Sequence, residues 1–195
     1  INAADIITNK QLDIQKLEKL VPRHADSSPV SLIRIASHVH EFTATLEGCK
    51  FLKDKGYMVG ANIMQISGCS YTMIEDLAIS AAQYPLDVLY FADSLGSIKP
   101  DDVTKIMQSL RKGWSGHIGI HAHDNLLMAL TNSMHAIKEG AVWVDSTITG
   151  MGRGPGNLRT EEFILEANKI KEKTYDLLPL FKLVRKIFNP LKAKY

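Results

Sequence analysis

Gly119-Ile-His-Ala-His-Asp-Asn125 is the stretch that decides how the rest of the chain is read. The run His117 to Ile120 is apolar enough to predict a strand, and in a strand residues two apart point to the same face. His121 and His123 then project side by side. The pattern Leu126, Leu127, Leu130, Met134 and Ile137 predicts a helix immediately afterwards, with Asp124 and Asn125 as its caps. Two imidazoles therefore stand where a strand hands over to a helix, which in α/β folds is the ligand-binding edge of the sheet.

Working outward, the same strand-then-helix rhythm recurs. Strands are predicted to begin near residues 31, 58, 87, 117 and 142, over Val30–Ser37, Tyr57–Ile66, Leu86–Ala92, His117–His123 and Ala141–Thr147. The intervening helices carry Phe42, Leu46, Cys49 and Leu52, then Met73, Leu77 and Ala81 behind a Thr72/Glu75 capping box, then Val103, Ile106, Met107 and Leu110 behind Pro100. A further helix with Leu12, Leu17, Leu20 and Val21 precedes them and stops at Pro22. A spacing of roughly 25 to 30 residues is that of successive βα units. The near-continuous apolar strands predict a parallel sheet buried on both faces. Without a glycine-rich dinucleotide fingerprint after a strand, the doubly wound alternative loses its main support. The expected fold is a (β/α)8 TIM barrel, incomplete in this chain because a whole one takes about 250 residues. Its domain is expected over residues 1–172, with a helical tail over 173–195.

Composition narrows the function. The 23 Lys+Arg nearly balance the 21 Asp+Glu, and a net charge of +2 with no basic cluster argues against nucleic acid. No apolar stretch reaches the length of a membrane span. Cys49 and Cys69 stand in separate segments, away from any metal-ligand spacing, and predict a reducing, cytoplasmic setting.

A second cluster, Gly150-Met-Gly-Arg-Gly-Pro-Gly-Asn157, ends the strand that follows the two histidines. Four glycines allow the backbone to approach a ligand closely, with Arg153 as a fixed charge and Asn157 as an amide oxygen donor. Two neutral imidazoles with oxygen ligands suit a divalent metal, and a carboxylate is still wanted to balance charge. His38-Val39-His40 has the same spacing at the end of another strand but no such loop beside it. Asp93-Ser94-Leu95-Gly96 closes a third strand: Asp93 reads as a general base or as the cap of a βα turn, and Ser94 as a donor to a carboxylate.

Together, Asp93-Ser-x-Gly96, His121-Ala-His-Asp-Asn125 and Gly150-x-Gly-Arg-Gly-x-Gly-Asn157 resemble the DRE-type TIM metallolyases, within them most nearly the 4-hydroxy-2-oxovalerate aldolase family. The resemblance covers most of residues 31 to 168. It implies a metal-dependent aldolase that cleaves or forms a 4-hydroxy-2-oxo acid with pyruvate as one product. His121 and His123 would be ligands of Mn or Mg, Asn157 would ligate or support the metal, and Ser94, with Asp93 and Arg153, would meet the substrate. The family's Arg-Asp pair at the end of the first barrel strand has no counterpart here, and the alignment of units implies a chain that lacks the first two barrel strands. That places the third ligand and the general base before Ile1 and leaves His38 as a stand-in base. The glycine loop lacks the cysteine of hydroxymethylglutaryl-CoA lyases, which disfavours that activity. A homo-oligomer is compatible with the resemblance. Few residues follow the last barrel helix, so a dehydrogenase partner is not assigned. The same motifs also fit a 2-isopropylmalate or homocitrate synthase-like acyl transferase, or an inactive metal-binding scaffold.

Overall fold

Short polar turns organise the first residues of the chain, which the computed structural model describes over residues 1–170 and 174–194. An antiparallel pair, β1 (Ile7–Thr8) and β2 (Gln11–Leu12), leads into α1 (Ile14–Leu20). Asp13 caps α1 by accepting from the Lys16 amide, so Leu12, expected in this helix, belongs to β2 instead. Ahead of the pair, Ile1 and Asn2 run parallel to the strand that follows: the Ala36 amide donates to the Ile1 carbonyl at 2.9 Å.

Five parallel strands then lie side by side in chain order: β3 (Leu32–Ser37), β4 (Met58–Ile63), β5 (Val88–Asp93), β6 (His117–Ala122) and β7 (Trp143–Val144). The connecting helices are α2 (Phe42–Asp54), α3 (Tyr71–Ala81), α4 (Pro100–Gly113) and α5 (Ala129–Lys138), and α6 (Thr160–Ile170) follows β7. The units match the predicted spacing, but three local expectations are corrected. The helix α3 is capped by Ser70, whose hydroxyl accepts from the Met73 amide, rather than by the Thr72/Glu75 box. The Asp124 carboxylate accepts from the Ala129 amide, which delays α5 to Ala129 and leaves Leu126 and Leu127 exposed in the turn. The strand expected over Ala141–Thr147 is only Trp143–Val144, because the chain turns away into the glycine loop.

The expectation of a sheet buried on both faces is met in the central strands, β5 being buried throughout and β4 beyond Met58, but the two faces differ in chemistry. Register pairs Arg34 with Gly60, Gly60 with Val88 and Asn62 with Tyr90. It also pairs Tyr90 with Gly119 and Ala92 with His121. Because side chains alternate, Ile33, Ile35, Val59, Ala61, Ile63, Leu89, Phe91, Ile118 and Ile120 share the face that packs against the helices, and all of them belong to one core. Full burial of such side chains contributes about 1.5–3 kcal/mol each and fixes the register. The other face carries Arg34, Asn62, Tyr90 and His121 and is polar. An ion pair joins Arg34 on the first strand of the sheet to Asp145 just beyond the last. Those positions are about 19 Å apart along a flat five-stranded sheet, further than the two side chains reach, so the sheet is curled with the polar face inside.

Cys49 on α2 is fully buried, and burial pushes its thiol up to about 12; Cys69 is half-exposed. Brief alkylation of the native protein is expected to modify Cys69 and spare Cys49, as read by peptide mass spectrometry. Equal labelling would contradict the packing of α2. The boundary expected at 172/173 lies outside the described residues. Beyond it Leu178–Lys194 is helical, as α7 (Leu178–Leu183), a wider turn over Val184–Phe188, and α8 (Asn189–Lys194). Among the described residues no helix is long and apolar enough to cross a membrane.

Candidate metal centre

Both histidines sit at the carboxyl end of β6, as the alternation predicts, with ring centroids 5.2 Å apart in an edge-on arrangement. His121 lies within β6, and its Nδ1 is 2.9 Å from Asp145 Oδ2. His123 follows the strand and pairs through its backbone with Asn157. Burial, with repulsion from His121 whenever that ring is protonated and from Arg153, pushes His123 below the usual imidazole range, against an opposing hydrogen bond to the Gly156 carbonyl. A neutral imidazole at physiological pH is the form that offers a lone pair to a cation.

The glycine loop closes back onto this strand end. The Leu158 amide donates to the Ala122 carbonyl at 3.2 Å, the Asp124 amide to the Gly156 carbonyl at 3.0 Å, and the Asn157 amide to the Gly150 carbonyl at 3.0 Å. Gly156 makes this closure sterically feasible: its φ is 100°, and a Cβ there would run into the Gly150 backbone. The fold-back buries Asn157. Its Nδ2 donates to the Met151 carbonyl at 3.1 Å, while its Oδ1 is buried with no partner in the structure. An orphaned amide oxygen costs about 1–3 kcal/mol unless something else satisfies it. Two imidazoles, with an unpaired amide oxygen on the residue bridged to His123, are donor types that fit a divalent cation. Among the described residues no group of three or more His, Cys, Asp or Glu side chains is placed to hold a metal, so the fit depends on that amide oxygen. Arg153 is exposed on the loop.

The other expected site residues separate. Asp93 is fully buried, and its carboxylate accepts from the Ser97 amide at 2.9 Å and the Ile98 amide at 3.2 Å. Burial raises its pKa above the ordinary carboxylate value, against the opposing hydrogen bonds from these amides and that of Gly96. These bonds cap the βα turn, and no oxygen of Asp93 faces solvent. Asp93→Asn puts an amide N–H against a backbone N–H and is expected to lower unfolding stability by about 1–2 kcal/mol, as read by urea denaturation. A stability equal to that of the parent protein would remove the cap assignment. Ser94 is different: its Oγ accepts from the Gln65 amide at 3.0 Å, which leaves the hydroxyl proton free to donate. His38, expected as a stand-in base, stacks on His40 with ring centroids 5.7 Å apart and lines a separate cavity of about 590 Å³ with Met64, Cys69, Met73 and Leu95. The structure does not bring His38 into contact with the His121 pair.

Asp145 and Arg34 were missed in the sequence. Burial alone would raise Asp145, but hydrogen bonds from His121 and Arg34, and the charge of Arg34, hold its carboxyl below the usual range. Arg34 also lies over the Tyr90 ring, 4.2 Å from its centroid. A usable signal was present: Leu32-Ile-Arg-Ile-Ala-Ser37 sets one charge inside a strand that otherwise reads as buried.

A family model described as HMGL-like matches residues 16–185. The chain is 31% identical over 163 residues to a 4-hydroxy-2-oxovalerate aldolase of Geobacillus thermodenitrificans, an alignment that covers 83% of this chain and 48% of that protein. Among solved structures, the N-terminal domain of a Bacteroides vulgatus protein described as an aldolase superposes with a TM-score of 0.81 at 30% identity, covering 100% of this chain and 62% of that one. An HMG-CoA lyase of Bacillus subtilis superposes at 0.78 over 91% of this chain and 67% of that one, with 16% identity, a likeness of fold alone. The expected architecture, part of a (β/α) barrel, is therefore met, and the chain spans about half the length of the curated relatives it matches.

Proposed function

From the premise that this chain belongs to the HMGL-like family, we propose that it carries the metal-binding half of a divalent-metal-dependent lyase acting on a 4-hydroxy-2-oxo acid, with pyruvate as one product. The observation that carries the reading is the pair of imidazoles at the carboxyl edge of a parallel sheet, with Asn157 bridged to His123 through its backbone and its Oδ1 buried without a partner. The aldolase relative supports the substrate class.

In this proposal His121 and His123 hold Mn or Mg, and Asn157 contributes its free oxygen. When bound, the ion supplies positive charge to the negative charge that develops on the 2-oxo acid during carbon–carbon cleavage. The chain's own side chains do the rest. Ser94 donates its spare hydroxyl proton to the substrate carboxylate, and the exposed Arg153 adds attraction for that anion. The fold-back of residues 150–157 holds Asn157 against the strand end and keeps water away from it. Asp93 has no role beyond its turn, and none is given to His38.

The test is an assay of the intact protein for pyruvate release from a panel of 4-hydroxy-2-oxo acids, with and without Mn. Mn-dependent pyruvate release is expected. Thiol release from acetyl-CoA with no pyruvate from any hydroxy-oxo acid would instead identify an acyl transferase and overturn the proposal.

A further inference from the structure

Asp145 directly follows β7, and the register pairing Gly119 with Trp143 and Ile120 with Val144 sets it beside His121 on the polar face. Its amide donates to the Ile120 carbonyl at 3.0 Å, so the backbone fixes that placement independently of either side chain. The carboxylate is then held from two sides. Arg34 reaches it from the far edge of the sheet, and His121 Nδ1 lies 2.9 Å from Oδ2. Arg34 is itself seated: its guanidinium lies over Tyr90, and the Tyr90 ring occupies the space left by the absent side chain of Gly119 on the next strand.

An ionised carboxylate can only accept hydrogen bonds. The imidazole nitrogen facing it must therefore carry the proton, and the neutral ring is left with its lone pair on Nε2. A partly buried ion pair is a weak source of stability in itself. Stability alone does not explain why this one is built against the imidazole edge.

We propose that Asp145 is a positioning residue that fixes His121 in its Nδ1–H tautomer and presents Nε2 to the cation, with Arg34 clamping the carboxylate in place. This rests on the reading of His121 as a metal ligand. Partners of this kind orient ligand histidines, and their loss typically costs 10- to 100-fold in metal affinity.

The experiment has two arms on the intact protein. Nitrogen-15 NMR of the metal-free wild type reads the tautomer directly and needs no variant. His121 is expected to be protonated at Nδ1, and an Nε2–H ring would overturn the proposal. The second arm compares Asp145→Asn and Arg34→Met with wild type by Mn titration, after circular dichroism has shown each variant folded. Asp145→Asn is expected to mix the His121 tautomers and weaken Mn binding by about 10- to 100-fold. Arg34→Met, which frees the carboxylate but keeps it, is expected to show a smaller loss. Unchanged Mn affinity in a folded Asp145→Asn protein would overturn the role of Asp145 and leave His121 as a ligand. A wild type with the Nδ1–H tautomer that binds no Mn would overturn the ligand reading itself.

Discussion

Replacing His121 or His123 by alanine is expected to weaken Mn binding by at least about a hundredfold, more than the loss of an outer partner costs, and to remove Mn-dependent turnover. The reason lies in the donor set. Among the described residues the proposed cation site would offer two imidazoles and one amide oxygen, so losing one imidazole would remove a third of the protein's contribution. Both side chains stand on the polar face rather than in the apolar core, so far-ultraviolet circular dichroism should remain that of the parent. His121→Ala also strips a hydrogen bond from Asp145, but Arg34 still pairs that carboxylate, which keeps the structural cost small. Isothermal titration with Mn provides the measurement. A folded His121→Ala or His123→Ala protein with parental Mn affinity would remove these residues from the site.

Gly119→Ala is expected to be costly for a different reason. Its Cβ would lie 2.7 Å or closer to three atoms of the Tyr90 ring, nearer than any real methyl group approaches an aromatic carbon. Tyr90 is buried and carries Arg34 on its face, so the ring has nowhere to move without displacing the guanidinium that pairs with Asp145. Overpacking of this kind costs about 1–3 kcal/mol, and contact with three ring atoms puts Gly119 at the upper end, about 3 kcal/mol. Urea denaturation reads the loss. Tyr90→Ala should relieve the clash, so the double variant is expected to fall short of the sum of the two single losses. Strict additivity would mean that Gly119 and Tyr90 do not share the space as described.

The spacing of the βα units was legible because each strand is a short apolar run bounded by turn residues, and Pro100 at the start of α4 marks a helix start through its own backbone restrictions. The histidine pair and the glycine loop were legible for the same reason: their chemistry is local in sequence. Boundaries set by competing hydrogen bonds were not. Ser70, two residues before Thr72, takes the cap of α3, and Asp124 reaches forward to Ala129 and postpones α5. Nor was the split into an apolar and a polar face, since Val88, Tyr90 and Ala92 read as core although they line the inside of the curl. The Arg34–Asp145 contact was hidden most completely. It joins the first and last strands of the sheet, and only the curl that brings those edges together makes them neighbours. The sequence points to a carboxylate before Ile1 for the imidazoles; within the chain Asp145 stands beside His121, 2.9 Å from its Nδ1.

In the proposed function His121, His123 and Asn157 form one cation site. Its most direct test is a Mn titration of the dialysed intact protein followed by electron paramagnetic resonance, with Asn157→Leu beside wild type. One tightly bound Mn per chain is expected in wild type, with clearly weaker binding once the unpaired Asn157 oxygen is gone. A wild type that binds no stoichiometric Mn, or an Asn157→Leu protein that binds it equally well, would contradict the site as described.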